Sequence, residues 1–246
     1  ADTRVLYSDI ETNGIVYLNF YFPMAAVAQE DLQYAYLLAE MFGAVDTARH
    51  TYAELAMLRS LYTGGFGADI VAYTRAGEPD SLAPRFKLRA KVLRENLPRL
   101  FDLLAEIMTE SDFTGAKRVR ELIDEEKTGM ELSLQRAANQ VVAARIAADL
   151  TPSGAYAEVG GLPFHDFLRA FKDDFDARHT EMQAAFRRIL PQIFNQNDLI
   201  VSITAPAAGY AEIAAGLVSF QEKLSSEVFP AAPYTWEITP KNEGLM

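Results

Sequence analysis

The sequence contains no cysteine and only three histidines among its 246 residues. Without cysteine there can be no disulfide bond, thiolate nucleophile or cysteine-ligated zinc, although the compartment stays open because secreted proteins can also lack cysteine. His50, His165 and His179 lie far apart, and none belongs to an H-E-x-x-H or H-x-x-E-H motif. Because a zinc site needs three convergent ligands, we interpret these histidines as surface or capping residues.

Basic residues are also scarce, since 23 Lys and Arg oppose 34 Asp and Glu to give a formal net charge of -11. This charge argues against nucleic acid as the main partner. No apolar run approaches the length of a membrane span, so we expect no membrane partner. For localisation, a bacterial cytoplasm is favoured. Half of the residues are hydrophobic, which is enough to bury a sizeable core.

Motifs of nucleophilic catalysis are missing as well. The chain has no G-x-S-x-G elbow. Five serines lie in helical or turn patterns with no local base, namely Ser60, Ser81, Ser111, Ser133 and Ser153. Spacing alone does not exclude a two-carboxylate site, but the acidic run Asp124-Glu125-Glu126 is typical of a solvated helix face. We therefore find no catalytic constellation in the residues themselves.

Three glycines at positions 64, 65 and 67 separate a helical pattern over 52–62 from strand-like residues over 66–74. A phosphate-binding loop requires the opposite order, because the N–H groups at the start of a helix must face the anion. We therefore predict a helix that ends at the glycines and leads directly into a strand. The helix begins with the capping-box spacing of Thr51 and Glu54.

Two segments, 15–22 and 85–92, alternate between apolar and polar residues as strands do. In the first, Tyr17 and Tyr21 lie opposite the apolar side chains. In the second, the polar side carries a basic row, which consists of Arg85, Lys87, Arg89 and Lys91. We predict that 85–92 pairs antiparallel with the preceding strand, after a polar loop over 75–84.

The basic row opposes the acidic charge of the whole chain, and two interpretations are open. It can protect an edge strand from unwanted pairing. Alternatively, it can form an electropositive wall that faces an acidic partner or a peptide carboxylate. The candidate peptide-facing residues are therefore Arg85, Lys87, Arg89, Lys91, Tyr17 and Tyr21.

Helical periodicity and a late strand complete the pattern. We predict a strand over 199–204, helices over 30–45, 96–109, 165–175, 180–194 and 207–224, and a long helix over 115–150 that bends near Thr128-Gly129. The order does not follow alternating βαβ units, so we predict an α+β fold with a mostly antiparallel sheet and helices packed on one face. We place a single domain at 1–229 and a linker or tail at 230–246.

Several motifs, in this order, together resemble one family. They are Thr12-Asn13-Gly14-Ile15-Val16-Tyr17-Leu18, Tyr52-x-Glu54-Leu55, Leu61-Tyr62-Thr63-Gly64-Gly65, Gly160-Gly161-Leu162-Pro163-Phe164 with Phe167-Leu168, Ile193-Phe194-Asn195 before Leu199-Ile200-Val201-Ser202, and Asn242-Glu243-Gly244. The chain is similar to the third domain of presequence proteases, which belong to the pitrilysin-like (insulysin-type) zinc metallopeptidases. The resemblance covers nearly the whole chain.

The resemblance implies a parent protein of four homologous α+β domains in two halves that close around a peptide. Zinc would be held in the first domain by H-x-x-E-H and a distal glutamate. Here the matching register is Tyr36-Leu37-Leu38-Ala39-Glu40, which lacks both histidines and the base. The resemblance therefore assigns no zinc and no catalytic residue to this chain.

By this resemblance we expect a non-catalytic domain of a zinc endopeptidase that degrades peptides, a domain that helps to form the closed peptide chamber. Its partners would be the remaining domains of the parent and the peptide substrate, and zinc would be a cofactor of the parent alone. One alternative is a standalone interaction protein with a degenerate peptidase fold. Another is a hydrolase with an unrecognised carboxylate site, which would require activity from this chain alone.

Overall fold

The computed structural model describes residues 3–236, which form a five-stranded sheet with the order β1-β5-β2-β4-β3. The strands are β1 (Arg4–Asp9), β2 (Ile15–Pro23), β3 (Phe66–Arg75), β4 (Glu78–Leu93) and β5 (Ile200–Ala205). β1 and β5 run parallel, and the other neighbouring strands run antiparallel. The predicted mostly antiparallel sheet is confirmed.

Helices of the described range pack against the sheet and against one another. They are α1 (Leu32–Glu40), α2 (Tyr52–Tyr62), α3 (Leu97–Glu110), α4 (Ala116–Arg136), α5 (Ala138–Leu150), α6 (Pro152–Glu158), α7 (Leu162–Asp173), α8 (Phe175–Ile193) and α9 (Tyr210–Gln221). Within residues 3–236, no helix is both long and apolar enough to cross a bilayer. The α+β fold class is confirmed.

The core lies between these helices and one face of the sheet, which we call the inner face. Alternate residues of β2 and β4 point into it, and Phe20, Phe22 and Phe86 are all 0% exposed. Phe86 meets Phe194 edge to face, with ring centroids 5.2 Å apart. The predicted alternation of both segments is therefore confirmed, and it fixes which side chains remain on the opposite face.

The first strand, β1, was not predicted. It pairs in parallel with β5, from Arg4 opposite Ile200 to Asp9 opposite Ala205. Its burial pattern is almost entirely exposed, so it lacks the alternation that reveals a half-buried strand. The pairing depends on a partner nearly two hundred residues away, which no local pattern can indicate.

The expected loop over 75–84 is wrong, because β3 and β4 form a long hairpin around Ala76 and Gly77. Arg75 pairs with Glu78, and Gly77 has a φ of 81°. The prolines at 79 and 84 misled the prediction. The pairing of β4 with β2 stops at Arg85, so the part of β4 before Arg85 has one unpaired edge. Proline, which has no backbone N–H, is tolerated there because that edge needs no hydrogen-bond donor.

The expected bend near Gly129 is also misplaced, since α4 runs unbroken to Arg136 and the break falls at Ala137, with a φ of -127°. Beyond Ile123 no residue of α4 is buried, so packing does not force a bend at the glycine. The unpredicted α6 begins at Pro152, where the Thr151 side chain accepts from the Gly154 N–H at 3.0 Å.

The interpretation of the histidines as surface or capping residues is wrong for His179. That side chain is 8% exposed, and its Nε2 lies 2.8 Å from the carbonyl oxygen of Phe113. Its ring also stacks on Phe175 at 5.2 Å. The contacts with Phe113 and Phe175 account for the burial of His179, and the local sequence does not indicate it.

A buried carboxylate, Glu106, holds the loop that leads into α2. Glu106 is 2% exposed and accepts a hydrogen bond from the Thr47 hydroxyl. It also lies 2.8 Å from His50 Nδ1 and 3.1 Å from Arg49 Nη2. The predicted capping box of Thr51 follows directly and is confirmed. Glu106 therefore fixes where α2 starts and, through α2, where the glycine turn lies.

We predict that Glu106→Gln destabilises the chain by about 2–4 kcal/mol, because it removes the charge of a buried carboxylate and leaves its partners unsatisfied. Glu110→Gln is the matched control. Glu110 also pairs with Arg49, but its side chain is 33% exposed, so we expect a loss below about 1 kcal/mol. Urea unfolding of the purified chain measures both. Equal losses for the two variants would contradict the role of Glu106.

Candidate functional site

The face of the sheet opposite the core, which we call the outer face, carries the candidate residues. Residues that pair across strands share a face, and the registers place Tyr17 opposite Lys91 and Tyr21 opposite Lys87. Tyr17 is 42% exposed. The outer face brings together all six candidates, namely Arg85, Lys87, Arg89, Lys91, Tyr17 and Tyr21.

The basic row lies inside the sheet and not at its edge. β4 pairs with β2 on one side and with β3 on the other, while β1 and β3 form the two edges. The interpretation of the basic row as protection for an edge strand is therefore wrong. The row occupies the middle of the outer face instead.

Lys87 is held against aromatic side chains. Its Nζ lies 5.5 Å from the ring centroid of Tyr21, and Tyr21 meets Tyr73 edge to face at 6.2 Å. Asp69 of β3 pairs opposite Lys87 in the register, yet among the described residues no carboxylate lies within the 4.0 Å of an ion pair with Lys87. The cation–π contact orients the ammonium group without neutralising its charge.

Arg85 differs from the other bases of the row because its guanidinium already has a partner. Nη2 lies 2.9 Å from Asp198 Oδ2, Nη1 donates to the Asp198 carbonyl oxygen at 2.8 Å, and the side chain is only 12% exposed. Arg4 of β1 binds the other carboxylate oxygen of Asp198 at 2.9 Å. Asp198 thus ties β1 to β4, and Arg85 has a structural contact that Lys87, Arg89 and Lys91 lack.

Arg59 is a basic residue near the outer face that the sequence patterns did not reveal. It lies in the last turn of α2, with its guanidinium carbon 4.7 Å from the ring centroid of Phe66. The only sequence signal was its position one turn before the glycines. A helix does not share the period of a strand, so the alternation of β4 could not include Arg59.

The register that would carry zinc ligands is filled by protein contacts. Tyr36 points from α1 towards α6, and its hydroxyl donates to the Tyr156 carbonyl oxygen at 3.2 Å. Burial, followed by the charges of Asp69 and Glu158, raises the pKa of Tyr36 well above its usual value. A Cβ atom on Gly160 would lie 2.2 Å from the Tyr36 ring, which explains the need for glycine in that motif.

Glu40, at the end of the same register, faces a second carboxylate. Partial burial, and then repulsion from Glu126 on α4, raise the pKa of Glu40 to about 7, while burial also raises the pKa of Glu126. The expectation that all of Asp124-Glu125-Glu126 is a solvated face is therefore wrong for Glu126. Within residues 3–236, no three His, Cys, Asp or Glu side chains are placed to bind a metal, so this donor set does not fit zinc.

From the raised pKa of Glu40 we predict that its contribution to the free energy of unfolding falls as pH rises. Below pH 4.5, the ordinary pKa, folded and unfolded chains both keep the proton of Glu40. Between pH 4.5 and about 7, the unfolded chain loses it first, so rising pH favours unfolding. Glu40→Gln should remove this decline and melt above the unsubstituted chain at about pH 8 but not at about pH 4.5.

The difference in melting temperature should be small, because Glu40 keeps an exposed side and water screens the repulsion. Glu125→Gln is the control, since Glu125 is exposed on the same helix as Glu126. Thermal unfolding followed by circular dichroism across this pH range measures the effect. Melting curves for Glu40→Gln that run parallel to those of the unsubstituted chain would refute the raised pKa of Glu40.

A second surface, on α5, is apolar and has no cover within the described chain. No residue of α5 is buried. Val142, Ile146 and Leu150, each four residues apart and therefore on one side of the helix, are 58%, 56% and 72% exposed. We call these three residues the α5 stripe. Exposed apolar side chains that line up in this way are less usual on a protein surface than single ones.

Comparisons with known proteins give a consistent result. Residues 1–171 match the family described as Peptidase M16-C associated. The chain is 24% identical over 242 residues to Protein HypA of Clostridium perfringens, which covers 98% of the chain and 25% of that protein. It is 24% identical over 222 residues to Presequence protease 1, chloroplastic/mitochondrial, of Arabidopsis thaliana, covering 90% of the chain and 20% of that protein. The chain thus spans a quarter or less of these relatives.

A solved structure shows the fold alone. The crystal structure of a conserved protein from Enterococcus faecalis V583 matches 92% of this chain and 52% of that chain with a TM-score of 0.55. The sequence identity is 12%, so the match carries no functional statement. The motif Asn242-Glu243-Gly244 lies outside the described residues, and the domain boundary expected at residue 229 stays a prediction.

Proposed function

The chain belongs to the Peptidase M16-C associated family, and we propose that it is the third, non-catalytic domain of a larger zinc endopeptidase that degrades peptides. Two facts support this proposal. One relative is named a presequence protease, and that protein is about five times as long as the matched segment, since the match covers 20% of it. In addition, the register of the zinc motif holds Tyr36 and Glu40, which do not fit the metal.

We propose that the outer face forms part of the wall of the peptide chamber. The observation that carries this role is the basic row on a strand in the interior of the sheet, with Lys87, Arg89 and Lys91 free of carboxylate partners among the described residues. An interior strand needs no charge to prevent pairing, so the row requires another explanation. Unpaired bases that face a closed chamber would attract the acidic groups of a peptide.

We propose that the α5 stripe packs against another domain of the same parent protein. A stripe of three exposed apolar side chains costs solubility unless it is covered. The length of the relatives supports this choice of partner, because the chain corresponds to only 25% of HypA and 20% of the plant protease. A parent of similar length would contain further domains that can cover the stripe. The outer face and the α5 stripe would then serve different partners, the peptide and a neighbouring domain.

The chamber role predicts that Lys87→Glu combined with Arg89→Glu, in the full-length parent, weakens the binding of acidic peptides. We expect KM to rise about tenfold for an acidic peptide and to stay level or fall for a basic one, because each reversal replaces attraction by repulsion. Steady-state kinetics with peptides of equal length and different charge measure this. Lys117→Glu combined with Arg136→Glu, on α4, is the control for net charge. If kinetics with all peptides stay unchanged, the proposal fails.

The domain contact predicts that Val142→Asp combined with Ile146→Asp destabilises the full-length parent but not the separate chain. We expect a loss of about 2–4 kcal/mol in the parent, since each side chain loses its burial. In the separate chain the change should stay within about 0.5 kcal/mol. Gln140→Asp, on the opposite side of α5, is the control. Chemical unfolding of both proteins tests this, and equal effects in both would contradict the contact.

A further inference from the structure

A groove of about 420 Å³ opens on the outer face where α2 ends and β3 begins. Its lining includes Tyr17, Asn19, Arg59, Gly64, Arg89 and Lys91. We propose that this groove binds a carboxylate group of the peptide, either the C-terminal carboxylate or an Asp or Glu side chain. The inference rests on the proposed chamber role and adds a specific site to it.

The groove collects positive charge that the domain does not neutralise. Arg59 comes from α2, and Arg89 and Lys91 come from β4. Within residues 3–236, none of the three has a carboxylate within 4.0 Å. The contrast with Arg85 on the same strand is direct, since Arg85 binds Asp198 at 2.9 Å. In a chain of net charge -11, three unpaired bases around one groove repel one another until an anion enters.

Two of the three bases are held in place before any ligand arrives. The stem of Lys91 runs across Gly64, where a Cβ atom would lie 2.7 Å from Lys91 Cγ. The Lys91 backbone is fixed on the same turn, because Gly64 N–H donates to its carbonyl oxygen at 2.8 Å. Arg59 is held against the ring of Phe66 at 4.7 Å. Side chains that are ordered in advance lose less entropy on binding.

The chemistry of the lining favours a carboxylate. A guanidinium group matches the two oxygens of a carboxylate, and the hydroxyl of Tyr17 and the amide of Asn19 can donate further hydrogen bonds. The volume of about 420 Å³ leaves room for a terminal residue or an acidic side chain. Among the residues that the structure describes, the lining contains no Asp or Glu that would repel such a ligand.

One feature opposes an anion here, because α2 directs its C-terminus, the negative end of its dipole, at the groove. This effect is weak at an exposed helix end and is screened by water. Arg59 lies in the last turn of α2 and offsets it. Arg89 and Lys91 then remain as uncompensated charge. The side chains, and not the backbone of the glycine turn, would therefore hold the carboxylate.

The test uses the full-length parent, with its zinc removed by a chelator so that peptides bind without cleavage. Fluorescence anisotropy compares a peptide that has a free C-terminal carboxylate with its C-terminal amide, and a peptide with one Glu with its Gln counterpart. We expect a preference of about tenfold for one acid over its neutral partner, as for one charge-assisted contact. The preferred pair identifies which carboxylate enters the groove.

Arg59→Gln combined with Arg89→Gln should abolish this preference and leave the affinity for the neutral peptides unchanged. Lys117→Gln combined with Arg136→Gln, on α4, should keep it. Gly67→Glu gives an independent check, because a Cβ atom at this position meets nothing within 4 Å. The added carboxylate would bind the basic side chains of the groove and block the peptide carboxylate. Gly67→Gln is its uncharged control and should retain part of the preference.

The outcomes separate the two proposals. If the double Gln variant keeps the acid preference, or if acid and neutral peptides lose affinity equally, the carboxylate site is refuted. The chamber role is tested separately by Lys87→Glu alone, without the Arg89→Glu change, because Arg89 lines the groove and Lys87 does not. If Lys87→Glu changes peptide binding but Arg59→Gln does not, the chamber role is supported and the carboxylate site in the groove is refuted. No change with either would remove both.

Discussion

Burial of the inner face of the sheet is the interaction on which the rest of the structure depends. Phe20 and Phe22 of β2 and Phe86 of β4 lose all contact with water, and burial of each contributes about 2–3 kcal/mol relative to exposure. Since successive side chains of a strand point to opposite faces, the same burial fixes which residues face outwards. A shift of one residue in the register would bury Lys87 and Arg89 and expose the phenylalanines. The position of the basic side chains is therefore a consequence of core packing.

The parts of the fold that follow from local chemistry could be predicted from the sequence. The alternation over 85–92, the capping box at Thr51 and the helix that ends at the glycines all depend on neighbours within a few residues. The same alternation identified the outer face of β4. It could not show that β4 lies inside the sheet, because the number of partners of a strand depends on distant segments.

The unpredicted features all depend on tertiary contacts. Glu126 looked solvated in the sequence because its partner, Glu40, lies on another helix. Arg59 reaches the groove from α2 and not from a strand, so no period connects it with Arg89. His179 is buried by the packing of α8 despite its charged neighbours. Sequence patterns report one element at a time, whereas a site is assembled from several.

The arrangement of β5 has a consequence for the order in which the chain folds. β5 lies between β1 and β2 and hydrogen-bonds to both, yet it is the last of the described strands to be synthesised. A ribosome adds about 5–20 residues per second, so β5 emerges on the order of ten seconds after β2. During that interval β2, β4 and β3 can pair, but the apolar strand β2 keeps an open edge. The newly made chain thus passes through a stage in which the open edge of β2 is available to chaperones or to aggregation, and this stage ends only when β5 pairs with that edge.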